Sequence, residues 1–175
     1  MLSLFSANQF RLTDEQFERL YQIITHAYEE TEKVMWGEGY VRMERKEFLK
    51  CIDRDEVIIA LLGGKIVGGI RYYHLKDNTW SFSLLAADFN EKGKGIGRKL
   101  VEEVEQIIKS KGGDFIHIEV LRPIKEKVEA KEVISQWYKR MGYELVKEIS
   151  LEDLYPEKID LLKTPSVFDC YLKKL

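Results

Sequence analysis

"AADFNEKGKGIGRKLVEEVEQIIK", residues 86–109, is the stretch from which the rest of the chain can be read. Gly93, Gly95 and Gly97 alternate with Lys94 and Ile96, and Ile96, Leu100, Val104, Ile107 and Ile108 then recur at helical spacing. Glu102, Glu103 and Lys109 fall off that apolar stripe, so an amphipathic helix follows the glycines directly. Glycine carries an entropic cost, and three of them ahead of a helix need a physical reason. A helix N-terminus has unpaired N–H groups and a partial positive charge, both of which favour an anion. A loop stripped of side chains lets its backbone approach a phosphate within hydrogen-bonding reach. Lys92, Lys94, Arg98 and Lys99 add positive charge at the same place. The stretch reads as a cradle for a pyrophosphate.

A cradle does not name its ligand. No Ser or Thr follows a Gly-Lys pair in the register that holds magnesium in a P-loop. A dinucleotide-binding glycine loop should follow the first strand of a parallel βαβ unit. Here the loop follows an antiparallel meander instead. "EVIIALLGGKIVGGIRYYHL", residues 56–75, reads as two strands around a Gly63-Gly64 hairpin turn, and "KDNTWSFSLLAA", residues 76–87, turns at Asp77-Asn78 into a third.

Outside the meander, "TDEQ" at Thr13–Gln16 is a capping box, and Phe17, Leu20, Tyr21, Ile24 and Tyr28 continue it as a helix from about residue 14 to about 31. "WGEGYVR" breaks that helix at Gly37 and Gly39, and a shorter one covers part of Arg42 to Ile52. "DFIHIEVL" is a short buried strand, and Val133, Ile134, Trp137 and Met141 then give a helix stopped by Gly142. "YELVKEI" and "SVFDCYL" close the chain as strands. The order is strand, two helices, three strands, helix, strand, helix, two strands, which makes a mixed α/β sheet.

The chain has 175 residues, with 28 Lys plus Arg against 30 Asp plus Glu. With no composition break or linker, residues 1–175 read as one domain. A net charge of -2 gives no reason to propose nucleic acid or an acidic membrane as partner. No apolar window approaches the roughly 18 residues of a membrane span, so the expected location is the cytoplasm. Cys51 and Cys170 lie in no metal-binding or redox spacing and read as free core thiols. His26, His74 and His117 have no helical pairing, so no metal is expected.

A second motif bears on the ligand. "SQWYKRMGYE", residues 135–144, puts Tyr138 near the end of a helix that stops at a glycine and leads into a strand. Together with "LLAADFNEKGKGIGRKLVEEV" it resembles the GNAT superfamily of N-acetyltransferases, and the order of elements fits over nearly the whole chain. The resemblance implies a mixed, mostly antiparallel central sheet of about six to seven strands with helices on both faces. It also implies acetyl-CoA as cosubstrate, with no metal. Two departures stand out. Lys92 occupies a position where the family has Gln or Arg. Lys131 stands where many members have Asn, after a long connection, "RPIKEKVEAKEV".

The resemblance assigns roles by position. Leu85, Ala86 and Ala87 would bind the pantetheine arm and acyl carbonyl, and Lys92, Gly93, Lys94, Gly95, Ile96, Gly97 and Arg98 the pyrophosphate. Tyr138 would be the general acid for the departing thiolate, its alternative role being packing. For the base there are two candidates. Glu119 shares a strand face with His117, and Glu38 lies between two glycines in a region that borders the acceptor site in the family. Trp36, Tyr40, Tyr72 and Tyr73 either shape an acceptor pocket or pack. The implied partner is a small-molecule or peptide amine, with the protein a monomer or homodimer. Acceptors served by this fold include protein N-termini, lysine side chains, polyamines, aminoglycosides and small amino acids. Two other readings stay open: a non-catalytic acyl-CoA-binding or sensing module on the same fold, and an ATP- or NAD-binding domain.

Overall fold

A computed structural model describes residues 1–175. The first half of the chain comprises β1 (Leu2–Ser6), α1 (Ala7–Phe10), α2 (Asp14–Trp36), α3 (Arg45–Asp53), β2 (Val57–Leu62), β3 (Lys65–Lys76) and β4 (Thr79–Ala87). The second half comprises α4 (Ile96–Ser110), β5 (Phe115–Pro123), α5 (Glu129–Arg140), β6 (Glu144–Ser150), α6 (Leu151–Leu154) and β7 (Ser166–Lys174), with 3-10 turns at Phe89–Glu91 and Pro156–Leu161. The strands form one seven-stranded sheet ordered β1-β2-β3-β4-β5-β7-β6. Every pairing is antiparallel except β4 with β5.

Period-two alternation divides the sheet's side chains between two cores. Ile58 and Ala60 of β2 face α4 and α5, packing with Leu100, Val104, Ile108 and Tyr138. Val57, Ile59 and Leu61 of the same strand face α2 and α3, packing with Leu20, Ile24 and Phe48. Each large apolar side chain buried this way contributes about 1.5–3 kcal/mol. The meander is as its turns foretell. Gly63 and Gly64 both have positive φ, at 58° and 81°, and Asp77 turns the second hairpin with φ 48°.

The β4–β5 pair is where the sheet opens. It is held by two rungs only, Thr79 with Phe115 and Trp80 with Ile116. Beyond them the strands part, because β5 stays with β7 along all nine of its residues while β4 follows β3. A bulge sits just past the fork. Gly69 to Arg71 on β3 spans two steps where Ala86 to Ser83 on β4 spans three, and Leu84 takes up the extra residue at φ 54° while staying buried. A left-handed, bulky, non-glycine residue is uncommon and persists where its surroundings over-determine it.

Two helices differ from the sequence-based expectation. α2 runs a turn and a half beyond residue 31, to Trp36, because Met35 and Trp36 bury against Leu121, Leu151 and Phe168. In α5 the apolar stripe is rotated. Val133 is 58% exposed, and the fully covered positions are Lys131 and Tyr138. Lys131 is drawn in by a partner on α2.

Candidate active site

The cradle forms at the end of β4. Gly93 and Gly95 take φ values of 83° and 72°, which β-carbon-bearing residues resist, and a Cβ at either position would meet nothing within 4 Å. Gly95 is the N-cap of α4 and offers no side chain to it. The first helical bond runs from Lys99 N–H to Gly95 O at 3.0 Å, leaving the amides of Ile96, Gly97 and Arg98 without a helical acceptor. The first turn contains no acidic residue. The contrast with α2 is informative. There Thr13 and Gln16 close a reciprocal capping box, and Asp14 and Glu15 follow. One helix supplies its own N-terminal acceptors; the other leaves its donors open to a ligand.

Around the cradle the cations differ in commitment. Lys94 is paired with Glu91 and Arg98 lies 3.6 Å from Glu102. Lys92 has no carboxylate partner, and its ammonium stands 5.9 Å from the Phe89 ring, which is largely exposed.

The fork between β4 and β5 holds a cavity of about 180 Å³. Leu85 lines it from β4 and Glu119 from β5, with Tyr28 and Glu32 from α2 and Lys131 and Tyr138 from α5. Ala86 and Ala87 continue β4 toward the cradle, paired with Gly69 and Gly68. Past Trp80, the β4 edge that faces β5 has no strand across from it. The Tyr28 phenol lies beside the Leu84 and Leu85 amides. Burial pushes it up to about 12, against the pull of Arg42 and those amides.

Tyr138 stands in an aromatic cage, its ring centroid 5.9 Å from Phe82, 5.8 Å from Tyr143 and 5.2 Å from Trp137. Burial drives its phenol far above the ordinary tyrosine range, so it stays protonated at every working pH. Glu119 accepts a hydrogen bond from the Tyr155 hydroxyl at 3.0 Å. Burial raises the Tyr155 phenol, and the neighbouring Glu119 charge raises it further. His117 sits two residues away on the same strand, its imidazole lowered by burial.

Glu38 is not brought to the fork. It lies in a polar depression with Glu29, Glu30 and Lys33, because the extended α2 carries the loop after it past the cavity. Of the aromatic residues, Trp36 and Tyr73 line a second cavity described below, and Tyr40 stacks on Trp36 with centroids 4.5 Å apart. Tyr72 packs in the α4-side core.

Sequence reasoning missed the polar cluster that walls the fork. Lys131 Nζ lies 2.7 Å from Glu32 Oε2, and Arg42 lies 3.4 Å from Glu32 Oε1. Burial works to raise the Glu32 carboxyl, but the two cations outweigh it and hold it below the ordinary range. The signal in the sequence was Lys131 itself, a charged residue three and seven positions before Ile134 and Tyr138 on the inward face.

No curated protein matches the sequence significantly. The acetyltransferase (GNAT) family matches residues 17–128, from early in α2 to the residue before α5. Among solved structures, the PaiA N-acetyltransferase of Thermoplasma acidophilum in complex with coenzyme A is similar at TM-score 0.71 and 17% identity, covering 100% of this chain and 99% of that one. An aminoglycoside 6'-N-acetyltransferase complexed with coenzyme A is similar at TM-score 0.72 and 15% identity, covering 99% and 96%. The ribosomal-protein-alanine N-acetyltransferase of Brucella melitensis gives TM-score 0.67 and 19% identity, covering 100% and 99%. At such identities these likenesses speak for the fold, and the family match spans well over half of the 175 residues. The chain belongs to the GNAT family of acetyltransferases.

Proposed function

We propose that the protein is an acetyl-CoA-dependent N-acetyltransferase that passes the acetyl group directly to a primary amine. The observation that carries the reading is that β4 joins an opened strand edge to an uncapped, acid-free helix N-terminus. Those are the two polar surfaces that a pantetheine arm and a pyrophosphate need. The amides of Ile96, Gly97 and Arg98, with Lys92 and the Arg98 side chain, receive the pyrophosphate. Leu85, Ala86 and Ala87 receive the pantetheine and the acyl carbonyl. A backbone donor aimed at the developing oxyanion is worth ~3 kcal/mol.

In this reading the amine nitrogen forms a bond to the thioester carbonyl carbon and the carbon–sulfur bond breaks. Tyr138 donates its proton to the departing thiolate and regains one from solvent. The surplus proton of the amine passes to water held by Glu119, which lines the fork where Glu38 does not. Direct transfer fits a cavity to which neither cysteine contributes. Cys51 and Cys170 are free and buried, which supports a reducing, cytoplasmic setting.

A sensing module would keep the cradle and lose turnover, and the caged Tyr138 facing the fork favours catalysis. Acetyl-CoA consumption across a panel of amine classes tests the reading, run beside thermal shifts with CoA, ATP and NAD. A ligand at 100 times its dissociation constant stabilises by about 2.7 kcal/mol. A shift with CoA alone, together with consumption that depends on an amine, is the expected result. A CoA shift without turnover of any amine points to sensing, and a shift with ATP or NAD instead overturns the CoA reading.

A further inference from the structure

Adjoining the fork lies a second cavity, of about 160 Å³, which shares Ser83 and Arg42 with it. Its walls are aromatic: Trp36, Tyr73, Tyr155 and Phe168. Its charged lining consists of Arg42, Arg71 and Lys158, and no carboxylate belongs to it.

The three cations are not equally satisfied. Arg42 leans on Glu32 at 3.4 Å and Arg71 on Glu56 at 2.9 Å, and both side chains are about four-fifths covered. Lys158 has no carboxylate within ion-pair distance. Its ammonium donates to the Tyr40 hydroxyl at 3.3 Å and stands 5.3 Å from the Tyr155 ring centroid. The turn that carries it, Pro156–Leu161, is tied over the cavity where Lys163 N–H donates to Met35 O at 2.7 Å and the Thr164 hydroxyl to Val34 O at 2.8 Å. The Trp36 indole N–H is the only buried side-chain polar atom without a close hydrogen-bond partner, and it is directed toward Glu32.

The geometry points to an anion subsite for the acceptor: the amine that this enzyme acetylates carries a carboxylate, held in the second cavity by Lys158 with Arg42 and Arg71. This assignment rests on the acetyltransfer reading above. A carboxylate there gives Lys158 the charge-assisted partner it lacks, and the aromatic walls cover the acceptor's carbon skeleton. The shared residues Ser83 and Arg42 place the carboxylate beside the fork, with the amine toward the thioester. The volume suits a small molecule, being below the ~300 Å³ at which pockets for drug-sized ligands begin. The same cations repel polyamines and aminoglycosides, so the charge that recognises one acceptor class excludes another. The acidic depression at Glu29, Glu30 and Glu38 has no apolar wall and does not compensate.

Calorimetric titration of amino acids against their own amides (glycine, β-alanine and phenylalanine, each with its amide), with spermidine as a polycation, tests the assignment with and without saturating CoA. Each acid is expected to bind more tightly than its amide, by about tenfold for the best-fitting pair, equivalent to ~1.4 kcal/mol. In Lys158→Met that ratio should collapse to within about twofold while the melting temperature holds, and Lys158→Arg should restore most of it. Amides or spermidine binding as well as the acids would overturn the assignment, as would a preference unmoved in Lys158→Met, or no acid binding at all. The CoA-free titrations test the anion subsite independently of acetyltransfer, which stands or falls on CoA binding and turnover.

Discussion

Lys131 Nζ lies 2.7 Å from Glu32 Oε2, joining α5 to α2 across the fork between two residues 99 positions apart. Both are almost fully buried, at 7% and 3% exposure, and Arg42 completes the cluster from the far side of the carboxylate. One carboxylate therefore serves two cations. The ion pair fixes the distance between the two helices that wall the fork.

That relationship predicts an asymmetry in stability. Removing one member of a buried pair strands its partner and costs about 3–5 kcal/mol. Glu32→Gln strands two cations and should fall in that range, whereas Lys131→Met leaves Glu32 with Arg42 and should cost less. Glu32 is held below its unfolded value, so its contribution is complete above about pH 4.3 and is lost as pH falls through the folded value. Chemical denaturation at neutral pH and in steps of falling pH below about 4.3 checks both points. Equal losses for the two variants, or a Glu32→Gln penalty that survives acidification, would contradict the account.

Tyr138 should act on turnover rather than on binding. Tyr138→Phe keeps the ring among Phe82, Tyr143 and Trp137 and removes only the hydroxyl. Turnover should fall by roughly 10- to 1,000-fold, with acetyl-CoA affinity almost unchanged. Tyr138→Ala should lose stability as well. A purely packing role predicts near-parental turnover in the Phe variant.

The pH profile gives a second handle on the same residue. Burial raises the Tyr138 phenol, so it stays protonated throughout the working range. Turnover of the parent should rise as the acceptor amine loses its proton and show no falling limb below about pH 10. A falling limb between pH 7 and 9 that disappears in Tyr138→Phe would mean that the phenol ionises there, contrary to its burial.

Cofactor affinity should depend unevenly on the cradle's lysines. Lys94 is already paired with Glu91, while Lys92 has no carboxylate partner. Lys92→Gln should therefore weaken CoA binding by several-fold, Lys94→Gln by less, and the difference should shrink in high salt as exposed charges are screened. CoA titrations of both variants at low and high ionic strength measure this. The reverse order would shift the pyrophosphate toward Lys94.

What the sequence made legible was local. The Gly63-Gly64 and Asp77-Asn78 turns, the capping box at Thr13 and the stripe from Ile96 to Ile108 each act over a few residues, and the meander and helices follow from them. What it hid was non-local. Glu32 sits in "EETEK" and reads as a solvated charge until Lys131 is brought to it. Tyr155 and Lys158 lie in a connection between strands with no periodicity of its own, so their place over the second cavity depends on how the turn docks against the end of α2. Glu38 follows the break at Gly37, but which way that loop turns depends on how the end of α2 packs, and it sets Glu38 beside Glu29, Glu30 and Lys33.

The central claim is that backbone donors exposed by glycine at the start of α4 hold the pyrophosphate, and Gly95→Asp tests it most directly. The position is open, since a Cβ there meets nothing within 4 Å. Its φ of 72° is one that Asp and Asn tolerate better than most residues, at a cost of about 1–2 kcal/mol. The fold should therefore survive, with Gly95→Asn as the uncharged control. Calorimetric titration with CoA should show affinity lost by at least about 100-fold in Gly95→Asp, and by much less in Gly95→Asn, because only the carboxylate opposes the phosphate charge. CoA affinity in Gly95→Asp equal to that of the parent would contradict the account.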